Sequence, residues 1–302
     1  MDCEQITHSL RSVVNPRIRR FVPVLVTVVL LPVVAPTADA AVRPDLTNVA
    51  HRGASAHAPE NTLAAVREGV AMNADMVEID VQRSADGALV VMHDTTLTRT
   101  TDVEQVFPDR DSYAIADFTL AEIRQLDAGS WFDAEFAGER VPTLTETLAV
   151  LRGGDVGLLL EVKEPALYPG IEAEIATELG RDRWWLLPAP SHLAHRLVVQ
   201  SFDWASMERS QTLLPRIPHG LLGRVPEARI AEFAAWADQI NPGYTTVDGT
   251  YVDEVQNAGL EIYVYTVNSA ADMRAQIAKG VDGIITNYPD VLVDVIAERP
   301  AA

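Results

Sequence analysis

Cysteine is almost missing from this chain of 302 residues: Cys3 is the only one. It lies in an N-terminal stretch that reads as a leader. The remainder therefore has no disulfide, no thiolate metal site and no cysteine nucleophile. Lysine is nearly as scarce, occurring only at Lys163 and Lys279, so each one is conspicuous. Positive charge is short in general, with 24 Lys and Arg against 43 Asp and Glu and a formal charge of −19. That balance excludes nucleic acid or an anionic membrane as a broad-surface partner. It leaves room for a small phosphate ligand, because a bound cation and a few basic side chains can invert the local field. No GxGxxG stretch opens a helix, so the signal of a dinucleotide site is absent. Long apolar runs are absent too: the run from Phe21 to Val34 falls short of the ~20 residues a membrane span needs.

What is there begins with that run. Arg11, Arg17, Arg19 and Arg20 precede it, and Ala38-Asp39-Ala40 makes a small-x-small cleavage site before Ala41. The pattern predicts a secretory signal peptide over residues 1–40, and so an exported protein with no stable membrane insertion after cleavage. Its loss leaves the remainder at −20. A chain of that size builds a core large enough to dispense with disulfides.

The most informative stretch is Met76 to Asp94, MVEIDVQRSADGALVVMHD. It reads as two strands, Met76–Gln82 and Leu89–Asp94, joined at Asp86-Gly87, the dipeptide favoured in a two-residue type I′ turn. That turn predicts facing residues whose numbers sum to 173, with Asp80 opposite His93 and Glu78 opposite Thr95. Glu78 and Asp80 share a face because strand side chains repeat every two residues. Two carboxylates about 7 Å apart along a strand repel each other unless something positive lies between them, and a hard divalent cation serves well. A solvated hairpin face is the plain alternative.

From Leu144 onward helices and strands alternate. Strands begin near residues 48, 76, 157, 197, 219, 239, 261 and 283, each followed by a helical pattern. Eight such units predict a (β/α)₈ (TIM) barrel, an α/β fold, over residues 46–297, with an open doubly wound sheet as the alternative. Residues 95–142 break the rhythm and read as a small inserted subdomain, with a helix at Leu120–Leu126 and the aromatic residues Trp131, Phe132 and Phe136; Trp131 and Phe132 are expected in its own small core, with lid residues that contact substrate as the alternative. The strand runs end in polar residues: His51-Arg52, Glu78 and Asp80, Glu161 and Lys163, Ser201, Asn241, Thr266 and Asn268, Thr286-Asn287. Barrel active sites are built at that rim.

Glu78, Asp80 and Glu161 would come from neighbouring strands and make an all-oxygen site for one hard cation. Zinc, which favours nitrogen and sulfur, is the poorer fit. His51 and His93 suit general acid–base work near neutral pH. Arg52 and Lys163 supply charge to hold a phosphate. Together these groups point to phosphoester hydrolysis. The other histidines read differently. His57 is expected to be exposed, and His192, His195 and His219 structural or superficial. Asp94 is expected to orient His93 or a backbone turn, and Glu60 to stabilise a turn or support the site from behind.

The order HRG, PENT, EIDV, DGALVVMHD, LEVK, QSF, YTVN and DGIITNYPD resembles the glycerophosphodiester phosphodiesterase family over nearly the whole chain after the leader. The segment GSWFDAEFAGERVPTL, Gly129 to Leu144, is similar to the insertion found in that family. The resemblance implies a (β/α)₈ barrel, one divalent cation (Ca²⁺ or Mg²⁺), and hydrolysis of a small glycerophosphodiester to glycerol 3-phosphate and an alcohol. By motif it makes Glu78, Asp80 and Glu161 the metal ligands, His51 and His93 the acid–base pair, and Arg52 and Lys163 the phosphate holders. The family commonly has Trp where this chain has Tyr265. Three other readings share these residues: a phospholipase D-like lipid phosphodiesterase, a non-catalytic phosphodiester binder, and an enzyme of teichoic-acid-type wall polymers. The long 95–142 segment speaks against the first, and the presence of both histidines and all three carboxylates against the second.

Overall fold

A computed structural model describes residues 46–298; the expected signal peptide lies outside the described residues. Nine strands form one sheet: β1 Thr47–Ala50, β2 Met76–Arg83, β3 Leu89–Val91, β4 Gly157–Val162, β5 Leu197–Ser201, β6 His219–Leu222, β7 Gln239–Asn241, β8 Glu261–Val264 and β9 Gly283–Thr286. Eight pair in parallel, and β1 pairs with both β9 and β2, which closes the ring. An open doubly wound sheet is thereby excluded. The strand starts expected at residues 48, 76, 157, 197, 219, 239, 261 and 283 match to within one residue. They were legible because parallel strands covered by helices are buried on both faces and so run almost uninterruptedly apolar.

Two layers of core follow from the period of two. Val49, Met76, Leu159, Val198, Tyr263 and Ile285 form one buried cluster, one residue from each of six barrel strands. The other phase, including Val77, Ile79, Leu158, Leu160 and Val199, packs outward with the helices. One step of two up from the inner cluster brings Glu78, Glu161, Gln200 and Tyr265. Asp80 follows on the same phase of β2. The inner phase therefore changes from apolar to polar on the way to the carboxyl ends of the strands, as expected where a barrel's site is built.

Strand β2 changes partner along its length. Met76 and Val77 pair with β1, whereas Val81, Gln82 and Arg83 pair with the antiparallel β3. Glu78 and Asp80 lie in the interval. There the Asp80 N–H donates to the Asn61 side chain, at 3.3 Å, instead of to a strand carbonyl.

The hairpin register differs from expectation by one. Val81 faces Val91, Gln82 faces Val90 and Arg83 faces Leu89, so pair numbers sum to 172, and Met92, rather than His93, bonds to the Asp80 carbonyl. The loop holds three residues, not two. The Gly87 N–H bonds to the Ser84 carbonyl, the Ser84 N–H bonds to the Ala88 carbonyl, and only Gly87 takes a positive φ, of 87°. This is the turn-plus-left-handed-glycine loop of three-residue hairpins. A one-residue slip would put every side chain of a long strand on the wrong face. Here β3 ends at Val91, so His93 leaves the ladder and still turns toward the site.

The segment after β3 has its own buried cluster, with Leu97, Val103, Ile115, Phe118, Ile123, Leu126 and Val141. Trp131, Phe132 and Phe136 are not in it. Trp131 is 40% exposed, and the three rings stack edge to face outside. The helix expected at Leu120–Leu126 stops at Ile123, opened by a Thr119/Glu122 capping box. The helical pattern that follows the strand at 219 is a 3₁₀ turn, Glu227–Arg229, running into a short helix, Ile230–Phe233.

Candidate active site

The β2–β4 register places Asp80 opposite Glu161, and Glu78 lies one inward position below Asp80. Carboxylate oxygens of the three lie within 4.8 Å of one another. All are buried, at 2%, 1% and 7% exposure for Glu78, Asp80 and Glu161. Burial, and then the charges of Asp80 and Glu161, push the Glu78 carboxyl well above the usual range. Burial and Asp80 push Glu161 up to about 8. Asp80 is buried as well, yet Lys163, Arg52, His93 and the Asn61 amide hold it below the usual range. One Asp80 oxygen, Oδ1, is buried without a hydrogen-bond partner. Three crowded carboxylates, two of them resisting ionisation and one with an orphaned oxygen, fit a metal ion that would relieve both conditions.

Basic groups close in from the sides. Lys163 Nζ donates to Glu161 Oε1 at 2.8 Å and lies 3.6 Å from Asp80 Oδ1. Arg52 sits just past β1 at a positive φ of 54°, and its N–H donates to Glu78 Oε2 at 2.8 Å. Its Nε is 3.5 Å from Asp80 Oδ2, and its Nη1 donates to Glu60 Oε1 at 2.9 Å. The HRG turn needs its glycine. Gly53 has φ 80°, and a Cβ there would lie 2.4 Å from the Ala65 backbone.

The two histidines are held in different ways. His51 Nδ1 is 2.7 Å from Asn287 Oδ1, a neutral amide. Burial and the adjacent Arg52 charge push its ring down to about 4. His93 Nδ1 is 2.6 Å from Asp94 Oδ1, a carboxylate that Arg99 in turn grips through Nε and Nη2. Asp94 thus orients His93, as expected, and Glu60 supports the site from behind by bridging Arg52 and Arg99.

His51, Arg52, Glu78, His93, Glu161 and Lys163 line one cavity of about 200 Å³, whose remaining wall is Gln200, Phe202, Leu222, Tyr265, Thr266 and Ile285. All seven expected residues thus come together, with Asp80 completing the carboxylate cluster. A larger groove of about 470 Å³, between the hairpin tip and the helix Ile171–Arg181, contains none of them. Volume is therefore a poorer guide here than chemistry.

Some rim residues do not reach the cavity. Ser201 Oγ donates to the Val162 carbonyl, and Asn241 Nδ2 donates to Gln200 Oε1. His219 is buried and structural, and His195 pairs with Glu261. His57 is half-buried, bonded to Asp290. Asn61 has a role at the site that sequence reasoning missed. Thr62 is the helix cap, while Asn61 donates to Asp80 Oδ2 at 2.8 Å. Gln200, Phe202 and Arg99 were missed as well. Gln200 sits beside Glu161 in the β4–β5 register, a neighbour that only the pairing of the strands reveals.

A model of the glycerophosphoryl diester phosphodiesterase family matches residues 51–291. Among curated relatives, a glycerophosphodiester phosphodiesterase of Caldanaerobacter subterraneus is 35% identical over 252 residues, covering 82% of this chain and 96% of its own. One of Bacillus subtilis is 33% identical over 282 residues, covering 88% and 92%. Among solved structures, an Oleispira antarctica phosphodiesterase in complex with the product sn-glycerol-3-phosphate superposes with a TM-score of 0.73 at 30% identity, covering 83% of this chain and 97% of that one. With the barrel, the acidic cluster and this match over most of its length, the chain belongs to the glycerophosphoryl diester phosphodiesterase family and is a phosphoric diester hydrolase.

Proposed function

We propose that this protein hydrolyses small glycerophosphodiesters to glycerol 3-phosphate and an alcohol, using His51 and His93 as an acid–base pair. The observation that carries the reading is their place on one cavity with Arg52, Lys163 and the carboxylates of Glu78 and Glu161. Arg52 and Lys163 hold the non-bridging phosphate oxygens and offset charge as it builds. Glu78, Asp80 and Glu161 hold one divalent cation, Ca²⁺ or Mg²⁺, since all three are hard oxygen donors. When bound, such an ion supplies Lewis-acid polarisation of the phosphate.

The partners of the imidazoles divide the proton work. His93, held by the Asp94 carboxylate, has its ring oriented by a group that stabilises the imidazolium as it forms, and takes the proton of the attacking hydroxyl. His51, backed by an amide and buried beside Arg52, makes a strong acid once the anionic diester favours its protonated form. It gives that proton to the leaving oxygen as the P–O bond breaks. The attacking hydroxyl is water or the glycerol 2-hydroxyl, and in the second case water opens a cyclic phosphate afterwards.

The leader pattern supports export through residues 1–40, and the separate buried cluster after β3 supports reading 95–142 as an inserted subdomain. Among the described residues no helix is long and apolar enough to cross a membrane.

The decisive assay is glycerol 3-phosphate release from glycerophosphocholine, lysophosphatidylcholine and a glycerol phosphate polymer, with EDTA and metal add-back. Turnover of the first, abolished by EDTA and restored by Ca²⁺ or Mg²⁺, is expected. Turnover of the lysolipid alone would transfer the chain to the lipid phosphodiesterases. Binding without turnover would make it a binder. N-terminal sequencing of exported protein should begin at Ala41.

A further inference from the structure

Arg99 lies outside the cavity, with its side chain 43% exposed, yet it touches the supports of two groups that face it. Its Nε and Nη2 donate to the two oxygens of Asp94, at 2.6 and 3.0 Å. Its Nη1 and Nη2 donate to the two oxygens of Glu60, at 2.9 and 2.7 Å. Beyond Asp94 stands the His93 ring at 2.6 Å, and beyond Glu60 stands Arg52 at 2.9 Å. One guanidinium thus joins an imidazole and a second guanidinium through two bidentate carboxylate pairs. Most exposed ion pairs contribute little; fork-to-fork pairs in a network are the exception, because they fix orientation as well as charge.

The loop that presents Arg99 is anchored on both sides. Leu97 is fully buried in the cluster of the inserted segment, and Thr100 is buried and bonded to Met92 Sδ. Glu60 comes instead from the loop after β1. Arg99 therefore ties the inserted segment to the barrel at the point where both supply active groups. We infer that Arg99 is a positioning residue, which holds His93 through Asp94 and Arg52 through Glu60 in one shared geometry. Without it Glu60 loses two of its donors, and Arg52, already 3.5 Å from Asp80, is free to fall onto the carboxylate cluster. Asp94 likewise loses the fork that fixes the face it turns to the imidazole. Both defects arise from one substitution.

The inference rests on the roles given above to His93 and Arg52, and the test separates the two. Wild-type chain that releases no glycerol 3-phosphate from any diester would sink those roles. With an active wild type, Arg99→Met is expected to lower kcat/KM about 100-fold, the scale of a small misplacement of catalytic groups, with kcat down and KM up. Arg99→Lys should recover less than a tenth of the loss, since a point charge cannot fork two carboxylates. Arg99→Met combined with Asp94→Asn should cost scarcely more in kcat than Asp94→Asn alone. Glu60→Gln, which weakens the Arg52 arm and leaves the Arg99–Asp94 fork in place, should raise KM more than it lowers kcat. Folded Arg99→Met with kcat/KM within threefold of wild type, full rescue by Arg99→Lys, or kcat losses that simply multiply would overturn the inference.

Discussion

At the scale of single residues, the site rests on how each ionisable group is backed. His51→Ala and His93→Ala should each lose about 10²- to 10⁴-fold in kcat, the usual worth of a general acid or base, while still binding Ca²⁺ or Mg²⁺ in calorimetry. Activity within threefold of wild type would remove that residue from the mechanism. His219 gives a prediction of a different kind. Its ring is buried and satisfied as the neutral tautomer, with one nitrogen 2.7 Å from the Ile217 carbonyl and the other 2.9 Å from Ser210 Oγ, and burial pushes it down to about 4 from 6.5. Between those values the unfolded chain binds the proton and the folded one does not. The stabilising contribution is thus complete above about pH 6.5 and fades as pH falls toward 4, by roughly 3 kcal/mol at most. Urea unfolding across that window should show a steeper acid loss for wild type than for His219→Gln; equal slopes would refute it. The charged members of the site were legible in the sequence because histidines and paired acids are rare at strand ends. Asn61 and Gln200 were not, since a neutral amide at a loop or strand end looks like any other polar residue until its partner is known.

At the scale of elements, the eight parallel strands were legible and the hairpin register was not. An Asp-Gly pair marks a turn but does not say how many residues the turn holds. Here Ser84 Oγ donates to Asp86 Oδ1 at 2.7 Å and accepts from the Ala88 N–H. That side-chain bridge closes the loop one residue wider than the dipeptide suggested. Glycine substitutions should grade accordingly. Gly87→Ala meets nothing within 4 Å but keeps φ at 87°, so it should cost about 1 kcal/mol from backbone alone. Gly53→Ala adds a clash with the Ala65 backbone at 2.4 Å and should cost several times more, with loss of activity, because Arg52 is its neighbour. Thermal melts of both variants would check the order; a reversed order would contradict the turn geometry. The core expected around Trp131 and Phe132 failed for a related reason. Aromatic content suggests a core, but only tertiary contacts say which side of a small segment is inside.

At the scale of the whole molecule, the acidic cluster sets a condition on stability as well as chemistry. An ion that binds the folded chain and not the unfolded one stabilises it by about 2.7 kcal/mol at a hundredfold excess over Kd. Millimolar Ca²⁺ or Mg²⁺ should therefore raise the melting temperature, and Glu161→Gln should blunt the rise. An equal rise in both would place the ion elsewhere. The change of partner along β2 has a consequence for motion. Its lower half is held in the closed ring, whereas on one edge its upper half is held by β3 and the segment that follows. Hydrogen exchange should accordingly divide within this one strand. The Gln82 and Ser84 amides, which face β3 in the alternating ladder, would gain deuterium together with the segment after β3, in a partial opening that leaves the ring intact. Those of Met76 and Val77 would wait for the barrel itself to come apart.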